Sequence, residues 1–311
     1  MEPLEALELP EEAIIGNGTS TLSSNGTALL APPTIENVTA PLPFVPEPVT
    51  GMPSVAIFAL GRINVQFPTL AIEKEFAHAA SQIDTSGKSD LEARHLVLSA
   101  PENRYLLHHL CWVFSVEGLE TYILHPRNPA HYDLLVNAIR PVPSNLDVDI
   151  VIGMRGELAP PEMCNGLVVP IVHFDQIYSF DRDQLIAAIP LPEGTQESQD
   201  GTFRQQAGEL FDRMMQMADN AGATDEDRAL NFLSVRYPAI YAKAAEQFGK
   251  NFQLTGIETH ASRLSGARKV MDVIFSYRHR QTDVSEKYFV RVDVTEEYPF
   301  LVSKLAHYFS R

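Results

Sequence analysis

Apolar and polar positions along the chain change rhythm twice. From about Met52 strand-like and helix-like patterns alternate. Val55-Ala56-Ile57-Phe58-Ala59-Leu60 is an unbroken apolar run closed by Gly61, the pattern of a strand buried on both faces. Leu70, Phe76, Ala77 and Ala80 then recur at helical spacing. Ser89 and Glu92 have the capping-box spacing that starts a helix, and Ser99-Ala100-Pro101-Glu102 repeats the signal. Trp112 to Ser115 and Thr121 to Leu124, parted by Glu117-Gly118, read as two strands. Asn128 as cap and Pro129 at the first helical position open a helix with Leu134, Leu135 and Ile139 inward, and Pro141 and Pro143 close it. Val148, Ile150 and Ile152 alternate with acidic neighbours, and the run Leu167 to Val172 forms another strand. Asp181 caps a short helix through Leu185, Ile186 and Ile189.

Past residue 202 the period becomes helical. Phe203, Ala207, Leu210, Phe211, Met214, Met217 and Ala218 make one amphipathic stripe, with Gly222 as its stop. Thr224 with Asp227 caps a second helix, Tyr237-Pro238 breaks it, and Ile240, Ala244 and Phe248 mark a third. Two alternating strands follow. Met271, Val273, Phe275 and Tyr277 share one face of the first, and Tyr288, Val290, Val292 and Val294 one face of the next, opposite Lys287, Arg291 and Asp293. A short terminal helix is expected over 301–308. The fold class is therefore an α/β or α+β layered domain over 52–190, a linker over 191–202, and a smaller α+β domain over 203–311 built of three helices and an antiparallel meander.

Composition adds the first segment. Residues 1–50 hold eight prolines and seven glutamates but no Lys or Arg. Such a stretch buries too little apolar surface to offset chain entropy, so residues 1–51 read as a disordered acidic, Pro-rich arm. The formal charge of −16, with 24 basic residues scattered among 40 acids, argues against nucleic acid as a partner. MEPLEALELPEE lacks the basic start and apolar core of a secretory signal, and the apolar runs are too short to span a bilayer. Two cysteines without a CxxC exclude a disulfide framework and a cysteine-rich zinc site. They suit a reducing compartment, so the expected location is the cytoplasm, without membrane attachment.

Candidate chemistry is sparse. No Gly-x-Ser-x-Gly elbow, Walker pattern or dinucleotide pattern occurs, and no cofactor or resident metal is expected. His108 and His109 are adjacent, so on a helix they point about 100° apart and do not share a metal. His173 and Asp175 fall on one strand face, with Cys164 nearby in sequence, and mark the best place for acid/base chemistry. Without a fuller ligand set, a strand-end histidine satisfied by hydrogen bonds is the favoured explanation. Cys111 beside Trp112 reads as an inert core thiol.

Several runs resemble the C-terminal, non-protease region of PatG-type cyanobactin maturation proteins. They include Ala59-Leu60-Gly61-Arg62-Ile63, the stretch from Gly118 to Leu124, Ala159 to Leu167, and His173 to Asp181. Met215 to Glu226, Arg228-Ala229-Leu230-Asn231, Arg263 to Lys269 and Tyr288 to Glu297 belong with them. The resemblance implies an accessory role in maturing ribosomally made, modified peptides, with no catalytic residue to carry over. The expected protein is thus a non-catalytic docking partner of a precursor peptide or a peptide-modifying enzyme. Its candidate peptide-binding residues are Arg263, Arg268, Lys269, Arg291 and Asp293, local cations and one acid on the terminal meander. Two alternatives stand beside it: an enzyme centred on His173 and Asp175, and a dimerisation module, a homodimer using the Met-rich helix.

Overall fold

The computed structural model describes residues 55–191, 200–216 and 220–309. The expected arm and most of the expected linker lie outside the described residues, whereas Asp200, Gly201 and Thr202 already form a first helical turn. Residues 50–311 form one compact unit.

Strand β1 (Val55–Gln66) does not stop at Gly61. Its first half, to Gly61, pairs antiparallel with β4 (Asp147–Leu158), and Arg62 onward pairs antiparallel with β2 (Cys111–Val116). Gly61 sits where the strand changes partner. A Cβ there would lie 2.2 Å from the Ser115 carbonyl oxygen and 2.8 Å from the Phe114 ring, so only glycine fits this corner. Strand β2 turns into β3 (Leu119–Pro126) through Glu117-Gly118 alone, both with positive φ (51° and 82°), the turn whose twist suits a two-residue hairpin. Strand β3 then lies parallel to β5 (Pro170–Asp181), and β5 antiparallel to β4, closing a five-stranded barrel in the order β1-β2-β3-β5-β4. With helix α3 (Tyr132–Ile139) between β3 and β4, this is the connectivity of an OB-type barrel. The mixed class is as expected. Closure into a barrel, in place of a layer, is what hydrophobic alternation alone did not specify.

The caps are where the sequence places them. Helix α2 (Asp90–Ser99) starts in a Ser89–Glu92 capping box, and Asp181 accepts from the backbone N–H groups of Asp183 and Gln184 to start α4 (Arg182–Ala188). The repeated signal at Ser99 fails. Ser99 donates its hydroxyl to the His95 carbonyl, and a 3-10 turn over Pro101–His108 follows without a side-chain cap. Helix α1 (Leu70–Ser81), α2 and this 3-10 turn fill the long β1–β2 connection and pack into the barrel's apolar cluster.

Helices α5 (Asp200–Met215), α6 (Asp225–Arg236) and α7 (Ala239–Gly249) precede a meander of β6 (Phe252–Ala261), β7 (Val270–His279) and β8 (Ser285–Asp293). The expected terminal helix is absent. The tail instead adds two short strands, β9 (Phe300–Leu301) and β10 (Ala306–His307), along β8. Val302 N–H donates to the Arg291 carbonyl (2.9 Å) and Tyr308 N–H to the Lys287 carbonyl (2.8 Å), so β8's edge satisfies backbone groups that a helix would have paired internally.

One apolar cluster joins the two parts. The outward residues Phe58, Leu60, Ile150 and Ile152 of the barrel pack with Phe203, Leu210, Phe211 and Met214 of α5 and with Val273, Phe275, Val290 and Val292 of the sheet. Buried amides fix the contact. Asn220 and Asn231 donate to each other's oxygens at 2.7 and 3.0 Å, and Asn231 Nδ2 also donates to the Phe58 carbonyl at 2.9 Å. Phe58 N–H donates to the Gly222 carbonyl at 3.0 Å. Gly222 (φ 69°) lies so close that a Cβ would come within 2.5 Å of the Phe58 oxygen.

Cys111 is not a free thiol. It is bonded to Cys164, with Cα atoms 5.8 Å apart and a sequence separation of 53. Isolated cysteines in sequence carry no signal of this pairing; β2 and the β4–β5 loop bring them together. The loop rests on Val113, Ile123 and Ile171, on the outside of the barrel, through Ala159, Cys164, Leu167 and Val169.

Candidate functional site

The meander buries one face against the helices; on the other, Ile274 and Ser276 in the middle of β7 are also covered, and exposure is greatest along β6. Register places His260 opposite Asp272 and Asp272 opposite Arg291, so these three side chains line up across β6, β7 and β8 on the outer face. With Arg263, Tyr308 and Phe309 they line a groove of about 340 Å³. Arg291 Nε donates to Asp272 Oδ1 at 2.9 Å, and its guanidinium lies 4.9 Å from the centre of the Phe289 ring. Arg263, in the turn after β6, is exposed and makes no ion pair among the described residues. Phe309 is 81% exposed beside it. The groove thus offers a free guanidinium, a half-neutralised one and aromatic surface, a combination suited to an acidic or aromatic side chain.

The five candidate residues divide. Arg263 and Arg291 line the groove. Asp293 is 1% exposed, its Oδ2 lies 2.6 Å from Arg268 Nε, and its Oδ1 accepts from Thr295 N–H at 2.9 Å. Arg268 also lies 4.8 Å from the centre of the Phe300 ring, and Lys269 pairs with Asp225 at 3.1 Å. These three hold the β7–β8 end against the tail and α6, away from the groove. His260, Asp272, Tyr308 and Phe309 were not singled out in sequence. Alternation in β6 and β7 marks the first two; the tail residues join only because the tail is a strand.

Strand edges matter for a docking role. The far edge of β8 is occupied by β9 and β10, while among the described residues β6 pairs only with β7.

His173 and Asp175 do lie on the outside of one barrel strand, yet they do not form a pair. Asp175 Oδ2 lies 2.6 Å from Arg127 Nη1, which also approaches Glu297 Oε2 at 3.4 Å. Burial, and then the neighbouring Asp175 carboxylate, push the Glu297 carboxyl up to about 7 against the pull of Arg127. His173 stacks edge-on to His125 with ring centres 5.5 Å apart, and burial lowers its pKa, favouring the neutral ring. Cys164, tied up in the disulfide, offers neither a nucleophile nor a metal ligand. Among the described residues no three His, Cys, Asp or Glu side chains gather as a metal site. Of the Met stripe, Met214 is core, Met215 lines a cleft of about 820 Å³ between β1, the β2–β3 turn and α5, and Met217 lies outside the described residues.

Residues 197–308 match the family model described as PatG C-terminal. Residues 197–308 are thus PatG-like. The matched span takes in α5 to α7, the whole sheet and all but one of the groove residues. A solved structure described as "PatG Domain of Unknown Function" superimposes with a TM-score of 0.66 at 20% identity, over 82% of this chain and 99% of that one. At that identity the likeness establishes a shared fold, and it takes in the barrel as well as the PatG C-terminal segment. No curated protein matches the chain. No helix among the described residues is long and apolar enough to cross a membrane.

Proposed function

We propose that this chain is a non-catalytic accessory protein in the maturation of ribosomally made, modified peptides of the cyanobactin type, and that it docks an acidic precursor peptide on the outer face of its terminal sheet. The observation that carries this reading is the coincidence of the PatG C-terminal match with the groove around Arg263 and Arg291. A modifying enzyme presenting such a segment would dock in the same way. We place the protein in the cytoplasm, although the Cys111–Cys164 disulfide is of a kind uncommon in reducing compartments and removes the cysteine argument for that location. The test is peptide output in a producing strain. Removing the chain should lower mature peptide at least about tenfold, and the Arg263→Ala/Arg291→Ala variant should reproduce much of that loss while remaining folded. Unchanged output on removal would refute the role.

A second reading, an enzyme built around His173 and Asp175, gains support from the raised Glu297 carboxyl beside Asp175, since perturbed acids gather at active sites. His173→Gln and Asp175→Asn separate the two. Docking leaves output within about threefold in both, whereas loss of a general acid or base lowers the rate by about 10²–10⁴.

A further inference from the structure

We infer that the edge of β6 left unpaired among the described residues, from Gly256 to Ala261, receives an extended acidic peptide segment as an added strand. This rests on the docking reading and specifies its mode. Backbone N–H and C=O groups along an unpaired edge are strong, obligatory hydrogen-bonding groups, and an extended chain satisfies them in register.

Three observations select this edge and this stretch. The other outer edge, that of β8, is filled by the chain's own β9 and β10. The start of β6 is closed, because Arg213 donates to the carbonyls of Leu254 (2.8 Å) and Thr255 (3.4 Å). A register shift between Leu254 and Gly256 separates that closed part from the remainder. The six residues Gly256-Ile257-Glu258-Thr259-His260-Ala261 contain no proline and no lysine, two devices by which natural edges repel added strands. At about 3.4 Å per residue they offer roughly 20 Å of edge.

Charge selects the occupant. The chain is formally −16, yet residues 250–309 carry nine Lys or Arg against seven Asp or Glu. Arg263 stands two residues beyond the open stretch, exposed, at the mouth of the groove. Strand addition along β6 brings alternate side chains of the guest beside Glu258 and His260 on the outer face, with Arg263, which has no ion pair among the described residues, as the cation at the end of the stretch. Pairing of β6 with a second copy of this chain would instead bring two bodies of −16 together, a repulsion that grows with the product of the charges. A short acidic peptide meets far less of it.

The experiment uses the full chain and a fluorescein-labelled 10-residue peptide of alternating Glu and Val, with an otherwise identical peptide N-methylated at alternate residues as control. Anisotropy should show saturable binding that weakens several-fold between 50 and 300 mM salt (roughly a halving of the Debye length) and at least fivefold in Arg263→Ala. The N-methylated peptide should bind at least tenfold more weakly. Hydrogen exchange should show amides within 256–261 becoming protected by the unmodified peptide. Thr259→Pro should abolish binding if that variant folds, and the exchange and N-methyl results decide the matter if it does not. Equal binding of the N-methylated peptide, or binding without new protection in β6, overturns strand addition while leaving groove docking intact. Absence of binding up to millimolar peptide overturns strand addition too, and the output assay then judges the accessory role separately. A dimer by sedimentation equilibrium, with β6 amides already protected in it, would assign the edge to a second copy and overturn the inference.

Discussion

At the scale of single residues, the polar side chains that matter most are those the sequence presents as ordinary. Asn220, Asn231 and Arg228 are nearly inaccessible and satisfied: Asn220 bonds the Asn231 amide and accepts from Gly222 N–H, Asn231 also donates to the Phe58 carbonyl, and Arg228 Nη1 donates to the Val294 carbonyl at 2.7 Å. Buried polar groups persist only when satisfied, so these residues specify where α6 meets the barrel and the β8 end. Glu297 differs, because its environment disfavours its charge. With its folded pKa raised from 4.5 to about 7, the folded state binds more protons than the unfolded one between those values, so stability from this group falls as pH rises through that window. Asp149 behaves alike in a lower window, since burial pushes its carboxyl up to about 6 despite hydrogen bonds from Ser179 and Ile63. Replacing Glu297 with Gln should lessen the decline in Tm between about pH 4.5 and 7, most visibly between pH 6 and 7 where Asp149 no longer contributes, and leave the decline below pH 4.5, due to Asp149, in place. Melting curves at half-unit pH steps read this directly; an unchanged slope above pH 6 would show that Glu297 ionises normally.

At the scale of elements, what was legible in sequence is local chemistry, and what was not is pairing across distance. Ser89, Asn128, Asp181 and Thr224 each cap a helical turn because the capping oxygen and the N–H groups it serves lie within a few residues. The alternation in β7 and β8 identifies their buried faces for the same reason. Gly61 reads as a stop, but it is the point at which β1 exchanges one neighbour for another, a fact held in β2 and β4. The tail's apolar residues fit a helix until β8 supplies an edge. Of the candidate site, Arg263 and Arg291 were visible as cations on a meander, while the pairing that removes Arg268, Lys269 and Asp293 from it depends on α6 and the tail. The disulfide is the plainest case, and it supports a prediction. It closes 53 residues, for which loop entropy gives about 4 kcal/mol of stabilisation as an upper guide. Cys164→Ser should lower the urea midpoint by a large fraction of the stability and release the β4–β5 loop to protease at 159–169 first. A midpoint equal to that of the parent protein would mean that the loop is held by Leu167 and Val169 alone.

At the scale of the whole molecule, the question is whether barrel and sheet are separable. Two domains joined by a linker are what the change of rhythm near residue 200 suggests, and such domains keep separate cores. Here Phe58, Leu60, Ile150 and Ile152, on the outside of the barrel, lie in the same apolar cluster as α5 and the inner face of the sheet, and the Asn220–Asn231 pair binds the Phe58 carbonyl between them. Pulling the parts apart would expose four large apolar side chains of the barrel at about 1.5–3 kcal/mol each, together with their partners and several buried amides. That sum is comparable to the whole stability of an ordinary domain, so neither part should survive alone. The protein carries its own reporters. Trp112, its single tryptophan, is 2% exposed inside the barrel, whereas far-UV circular dichroism is weighted toward helices, among which α5, α6 and α7 are prominent. Urea unfolding followed by Trp112 emission and by ellipticity at 222 nm should give superimposable curves, the signature of one cooperative unit. A fragment of residues 201–311 should accordingly bind hydrophobic dye and lack a sharp melting transition. Two separated curves, with ellipticity lost before or after Trp112 is exposed, would mean that the shared cluster is too weak to couple the parts and that the sheet is an independent docking domain.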